Sequence, residues 1–221
     1  MNKGMAIVAL AGLLLAATPA AAQAPGRASD WSVLGGETVA PDADVVHGAF
    51  GWPDATFAYT HGMSRDFDVG AKMQLIYGVE NTTDTQFGMA FAVPLRWTVA
   101  RHRNVSVLFH VDPGIKFYTT NPVLFGFQLL PFGLNLEIQP TSALGVGIGF
   151  DWNSTLFVTG GVTPQYLFGP MVGPFFEYHV DRQIAIGLDT RFGAIIDAGD
   201  FAGSPVTRFG LRAQMVLAYR L

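Results

Sequence analysis

The last fourteen residues of the chain, Arg208–Leu221, alternate with a period of two. Alternate side chains point to opposite faces of a strand, so this period predicts a β-strand and not a helix. One face of that strand is wholly apolar, and the other carries three arginines. Strands of soluble proteins usually stop at about 5–6 residues, whereas a tilted strand that crosses a bilayer needs about 9–11. The segment therefore predicts a long strand with one face toward lipid and one toward water.

The same phase relation holds in the strands predicted upstream, from Phe67 onward. Seven acids and seven bases fall on one phase of these strands: Asp68, Asp112, Glu137, Asp151, Glu177, Asp189 and Asp197, with Lys72, Arg96, Lys116, Arg191, Arg208, Arg212 and Arg220. The opposite phase carries no Lys, Arg, Asp or Glu. In a soluble β-sandwich nothing excludes charged residues from one whole face of every strand. In a membrane barrel, Arg or Lys in the lipid midplane costs about 2–4 kcal/mol. The pattern predicts an all-β, closed antiparallel transmembrane β-barrel.

Turn residues divide the chain into ten predicted strands, an even number that suits a closed barrel. These are Val45–Trp52, Ala55–Gly62, Phe67–Gly78, Gln86–Thr98, Val105–Tyr118, Val123–Ile138, Leu144–Trp152, Tyr166–Val180, Ile184–Ile196 and Arg208–Leu221. The apolar phase slips once, near Leu130-Pro131, which predicts a β-bulge. Alternate connections are short, and the other set includes the two longest loops, Asn153–Pro164 and Ala198–Thr207.

The N-terminus has the composition of a secretory signal peptide over residues 1–22. Lys3 precedes an apolar run from Met5 to Ala17, and small residues end at Ala22. Residues 23–43 are predicted to be an irregular periplasmic leader lying below or inside the barrel mouth, in which Trp31–Leu34 could add a strand. Residues 44–221 are predicted to be the barrel domain.

From about Val45 onward the chain resembles bacterial outer-membrane β-barrel proteins. The resemblance rests on the strand pattern, the alternation of short and long connections, and the terminal strand. Proteins of this family end on a membrane strand that the β-barrel assembly machinery reads, usually with an aromatic last residue; here Tyr219 stands two positions before Leu221. The resemblance implies an outer-membrane location with periplasmic termini, and contact with outer-membrane lipids and lipopolysaccharide. It leaves the oligomeric state open.

The balance of inward acids and bases predicts a lumen filled by paired charges. The predicted lumen charge network consists of Arg96, Asp112, Glu137, Glu177, Asp189, Arg191 and Arg212. Inward glycines such as Gly147 and Gly187 leave bare patches, which other side chains could fill or which could leave a narrow water path. A structural protein, or at most a low-conductance porin-like protein, is the function that this interior favours.

Two other classes stay open, namely an outer-membrane enzyme (a protease or a lipid-modifying enzyme) and an adhesin. The predicted outer rim offers Asp151, Asp197, Lys116 and Arg208 but no histidine, since His110 lies mid-strand, and no catalytic group can be assembled there. A non-enzyme is therefore predicted. An adhesin would rely on short loops with one exposed apolar tip, Leu156–Val158.

Cofactor and metal sites are not predicted. The chain has no cysteine, and its histidines lack metal-ligand spacing. A net charge of −4 does not argue for a charged partner, and no nucleic-acid patch is present.

Overall fold

The computed structural model describes residues 31–78, 87–120, 123–159, 162–198 and 205–221. The described residues form strands and no helix. The strands are β1 (Asp44–Trp52), β2 (Asp54–Ser64), β3 (Phe67–Ile76), β4 (Gly88–Ala92), β5 (Leu95–His102), β6 (Val105–Val111), β7 (Gly114–Tyr118), β8 (Leu124–Gln128), β9 (Phe132–Ile138), β10 (Leu144–Thr159), β11 (Val162–His179), β12 (Ile184–Asp197) and β13 (Val206–Arg220). The predicted signal peptide lies outside the described residues.

These strands close into a barrel of ten antiparallel strands, as the sequence predicts. Each barrel strand pairs with its neighbours in the chain, and β1 pairs with β13 to complete the circle. Three barrel strands consist of two segments each, β4 with β5, β6 with β7, and β8 with β9. The breaks contain Pro94, Pro113 and Pro131. Proline has no backbone N–H to donate to a sheet ladder, which accounts for the interruptions.

Only the third of these interruptions was expected from the sequence. The inward phase is even in β8, where Gly126 is buried, and odd in β9, where Glu137 is buried. The predicted slip near Leu130-Pro131 is therefore confirmed. At Pro94 and Pro113 the phase continues unchanged, so the apolar pattern carried no sign of a break.

The predicted long loop Asn153–Pro164 is wrong. β10 continues to Thr159, β11 begins at Val162, and the two pair along most of their length. Phe157, expected at an exposed loop tip, is 2% exposed. The polar run Asn153-Ser154-Thr155 suggested a loop, but Ser154 and Thr155 are buried strand residues. Trp31–Leu34, which could have added a strand, has no strand structure.

The two faces of the barrel wall differ in chemistry. The outer face is a continuous exposed apolar surface that includes Phe50, Phe91, Ile148, Phe176 and Met215. Within the described strands, Asp44 is the one Asp, Glu, Lys or Arg in the outward phase, and it lies at the first residue of β1. The inner face carries the buried acids and bases. Large exposed apolar surfaces mark contact with other proteins or with lipid.

The segment that precedes β1 lies inside the barrel. The described part of the predicted leader, residues 31–43, is called the leader from here on; it lies inside the lumen at the end that has the short turns, except for the exposed Pro41 and Asp42. Trp31, Ser32 and Val39 are fully buried. The leader joins β2 through the backbone bonds from Asp42 N to Gly62 O (2.8 Å) and from Gly62 N to Ala43 O (2.9 Å).

Candidate functional site

Carboxylates of the barrel wall hold the backbone of the leader. Glu177 of β11 accepts hydrogen bonds from Ser32 Oγ (2.6 Å), Val33 N (3.2 Å) and Leu34 N (2.9 Å). Glu137 of β9 accepts one from Gly36 N (2.6 Å). Both side chains are 1% exposed. Buried carboxylates require such donors, since an unpaired buried charge is costly.

A buried ion pair fixes the same segment from the opposite wall. Arg96 Nε and Nη2 donate to the Asp68 carboxylate at 2.8 and 2.6 Å. The guanidinium also donates to the carbonyl oxygens of Ser32 (3.0 Å) and Val33 (3.1 Å). Asp68 Oδ2, which accepts from Arg96 Nη2, also accepts a hydrogen bond from Val39 N at 2.7 Å. Backbone groups of the leader thus find partners that another strand would supply in a sheet.

Apolar packing seals the leader against the wall. Trp31, Val39 and Ala43 pack with inward side chains of β1, β12 and β13, which are Val45, Ala185 and Ala218. The Trp31 ring meets the His179 ring edge-on, with centroids 5.0 Å apart, and its Nε1 donates to Arg182 O at 3.0 Å. Since the wall residues on that side are small, the indole fits within the barrel.

A second charged layer lies deeper in the lumen. Arg191 and Arg212 are directly opposite each other on β12 and β13. Arg212 Nη2 lies 2.5 Å from Asp151 Oδ2 and 3.0 Å from Asp189 Oδ2, and Arg191 pairs with the same two aspartates. Asp151 is therefore shared by two arginines, and its other oxygen lies 3.3 Å from His110 Nε2.

His110 extends this layer to the other side of the barrel. Its Nδ1 lies 3.4 Å from Asp112 Oδ1, and Asp112 also pairs with Lys72. A chain of charged side chains with His110 at its centre thus crosses the lumen from β3 to β13. Each ring nitrogen of His110 faces a carboxylate, so neither is directed at a hydroxyl nucleophile in the described part of the chain.

A polar cavity of about 190 Å³ lies between the leader and this charged layer. Its lining includes Leu34 of the leader and the small inward residues Ala49, Thr56, Ala58 and Thr60 of β1 and β2. The small side chains of these two strands leave the space. The volume suffices for several water molecules or one small polar group.

An apolar cluster occupies the lumen at the end with the longer connections. Ile76, Ala90, Tyr118 and Phe157 are buried there, with Leu124 and Leu167 packed against them. The rings of Tyr118 and Phe157 have centroids 6.0 Å apart. The described lumen therefore has the leader at one end, charges and a cavity in the middle, and apolar side chains at the other end.

The predicted charge network divides between two layers. Arg96, Glu137 and Glu177 hold the leader, whereas Asp112, Asp189, Arg191 and Arg212 belong to the deeper layer. Four further participants were not assigned to the network from the sequence: Asp68, Lys72, His110 and Asp151. These side chains fall on the inward phase of their strands, and this pattern could have been used to assign them to the network.

Two of the four residues expected at the outer rim, Asp151 and Lys116, are buried inside the barrel. Asp151 lies in the middle of the lumen, because β10 continues eight residues beyond it. Lys116 is buried in the wall and lines the cavity. Within the described ranges, no group of three or more His, Cys, Asp and Glu side chains could hold a metal ion. No helix among the described residues is long and apolar enough to cross a membrane.

Comparison with known sequences adds no relative from which a role could be transferred. No protein-family model matches the chain, and no curated protein matches it significantly. What the barrel does has to be inferred from its own geometry.

Proposed function

We propose that this protein is an integral β-barrel of the bacterial outer membrane, closed by its own leader, with a structural role or at most a low conductance for small solutes. The observation that carries the proposal is the leader itself, which spans the lumen with its backbone bonded to Glu177, Glu137, Arg96 and Asp68. An open porin would need a continuous water path at that level.

The outer face supports placement in a membrane. Its exposed apolar residues surround the barrel, and Asp44, the one outward carboxylate of the described strands, lies at a strand end. A closed barrel leaves no strand edge in hydrocarbon, where each unpaired backbone group would cost several kcal/mol. In this proposal residues 1–22 are a cleaved signal peptide, the short-turn end with both termini is periplasmic, and outer-membrane lipids, lipopolysaccharide and the β-barrel assembly machinery are the partners.

A catalytic role has less support. The deeper charged layer pairs acids with bases, and the described residues show no nucleophile directed at His110. Charges arranged in this way neutralise one another inside the lumen. We therefore propose that the protein is not an enzyme.

The experiment is refolding of the mature chain into lipid vesicles, followed by recording in a planar bilayer. The proposal predicts a folded, heat-modifiable barrel with conductance near zero or far below that of an open porin. A protein that stays in the aqueous phase would contradict the membrane placement. Hydrolysis of a peptide or a phospholipid by the purified protein would contradict the non-enzymatic role.

A further inference from the structure

Two neighbouring turns at the short-turn end of the barrel are joined by polar contacts. One connects β2 to β3 and the other connects β5 to β6, and β3 pairs with β5. Arg101, near the end of β5, forms an ion pair with Asp66 of the first turn and donates to Arg65 O at 2.7 Å. The two turns therefore form one continuous surface, here called the basic turn patch, which consists of residues 63–66 and 100–104.

Three side chains of this patch carry N–H donors that are free for a partner. Arg65, His102 and Arg103 are exposed. Within the described part of the chain, no hydrogen bond or ion pair engages any of these three side chains. The two guanidinium groups belong to different turns, but the contacts of Arg101 hold those turns together.

The acids around the patch do not pair with its free arginines. Asp66 and Glu37 both lie against Arg101, Glu37 at 3.9 Å. Asp44 of β1 is engaged by a tyrosine and a histidine of β2. Asp42, in the leader beside β2, forms no ion pair among the described residues. No described carboxylate therefore neutralises the two free guanidinium groups by direct contact.

The backbone of Arg103 supports a role for its side chain. Its φ is 54°, in the left-handed region, where glycine and asparagine are favoured and most other residues are not. Arginine at this turn position therefore costs stability that asparagine would recover. Strained residues of this kind occur preferentially at functional sites.

An exposed apolar surface adjoins the basic turn patch on the outer wall. The β2–β3 and β5–β6 ladders each contain one register shift, at Met63 and at Val99. Such bulges redirect side chains, and these two are 56% and 57% exposed. Beside them the rings of Phe67 and Trp97 stack, with centroids 5.0 Å apart. Free guanidinium groups and exposed hydrocarbon thus lie side by side at one edge of the barrel wall.

We propose that this edge binds an anionic phospholipid of the leaflet that faces the periplasm. The phosphodiester accepts hydrogen bonds from Arg65 and Arg103, since guanidinium donors match phosphate oxygens. The acyl chains lie over Met63 and Val99, and this apolar surface favours a lipid over a soluble phosphate or an anionic glycan. The inference rests on the membrane placement proposed above.

The test uses the full mature protein refolded in phosphatidylcholine vesicles that contain a minor fraction of phosphatidylglycerol. In one sample the phosphatidylglycerol carries a diazirine near the start of its acyl chain, and in the other the phosphatidylcholine carries it at the same carbon. After irradiation, cross-linked peptides are mapped by mass spectrometry. We expect cross-links from the phosphatidylglycerol probe to concentrate at residues 63–67 and 97–103, whereas the phosphatidylcholine probe labels the apolar wall evenly.

Substitutions identify the groups that hold the headgroup. Arg65→Gln and Arg103→Asn should each lower the phosphatidylglycerol labelling of these peptides about fivefold, the contribution of one basic residue near an anionic surface. Arg103→Asn should at the same time keep or raise the stability measured by urea titration, so its effect on labelling is not a loss of fold. Arg182→Gln is the matched control, because Arg182 is an equally exposed arginine with a free side chain, in the turn before β12.

The possible outcomes separate the site from the membrane placement. Equal labelling of these peptides by both probes, or labelling unchanged in both arginine variants, would overturn the site. Displacement of the probe by soluble glycerol phosphate, or arginine-dependent binding to isolated peptidoglycan, would overturn the assignment of a lipid. Failure of the protein to insert into the vesicles is seen before any labelling, and it would overturn the membrane placement.

Discussion

The carboxylate of Glu177 accepts a hydrogen bond from the backbone N–H of Leu34 at 2.9 Å. The two residues are 143 positions apart in the chain. One is an inward acid of the barrel wall, and the other belongs to a segment without regular structure. Together with the hydrogen bonds from Ser32 and Val33, this bond lets the Glu177 carboxylate hold the leader against the barrel wall.

Glu177→Gln should loosen the leader. Three donors converge on the Glu177 carboxylate, and an amide offers one acceptor oxygen and no charge. Hydrogen bonds to charged groups contribute about 1.5–3 kcal/mol, so exposure of the leader should rise roughly tenfold or more. The natural chain has no cysteine, so maleimide labelling of Val33→Cys reports this directly. Asp42→Asn is the control, because Asp42 is exposed and asparagine tolerates its φ of 58°. Equal labelling rates in both backgrounds would contradict the anchor.

A new charge should lower the stability of the barrel at one residue of β13 and not at its neighbour. Met215→Arg places a cation on the apolar outer face, which costs about 2–4 kcal/mol in a bilayer. Gln214→Arg places it in the lumen, where Gln214 Nε2 already donates to Asp54 Oδ1 at 2.8 Å. Urea titration of vesicle-folded protein should show a large loss of stability only for Met215→Arg. Equal losses would show that the outer face does not meet lipid.

Gly147 should not tolerate a methyl group. A Cβ there would lie 2.2 Å from the backbone oxygen of Leu136 and 2.3 Å from the ring of Phe175. Overpacking of this kind typically costs 1–3 kcal/mol, so Gly147→Ala should be destabilised by about that amount. At Gly48 of β1, the atom closest to an added Cβ would belong to the Phe50 ring, at 3.0 Å, and this ring can move aside. Gly48→Ala is therefore the matched control, and a similar loss in both variants would refute the packing of Phe175 over Gly147.

Arg212→Ala should destabilise the barrel without opening it. The substitution removes one of the two cations that Asp151 and Asp189 share, and breaking a buried pair typically costs 3–5 kcal/mol. The Arg212 side chain is partly exposed, so the expected loss lies below that range. The leader lies in a different layer and keeps its partners, so bilayer conductance should stay at the wild-type value. A conducting Arg212→Ala protein would show that the deeper charges, and not the leader, close the lumen.

The barrel could be predicted from the sequence because the charges of each strand fall on one phase. Charges such as Asp189 and Arg191 share the inward phase, and this leaves a period of two that is easy to detect. The extension of β10 was missed because Ser154 and Thr155 are polar, although the strand continues through them. In this barrel, the polar side chains of β10 therefore do not mark a loop.

Docking of the leader left no comparable signal. The leader contacts the wall mainly through its backbone N–H and C=O groups, which every sequence has and which therefore leave no pattern of residue types. For this reason the sequence predicts that Glu137 and Glu177 pair with cations, whereas both accept hydrogen bonds from the leader backbone. Gly187 was expected to face a polar lumen, but a Cβ there would lie 2.7 Å from Leu34 Cδ1. A fit between a loop and a wall depends on three-dimensional shape, which the period of a strand does not encode.

Single-channel conductance of the wild type and of Gly36→Val tests the closure of the lumen most directly. A Cβ at Gly36 would lie 2.5 Å from the backbone oxygen of Ser106, so valine prevents docking of the leader without changing any wall residue. Pro41→Val, at an exposed leader position, is the control. We predict near-zero conductance for the wild type and Pro41→Val, and discrete conducting steps for Gly36→Val. A wild type that conducts like an open porin, or a Gly36→Val protein that stays silent although its leader is accessible to labelling, would contradict the account.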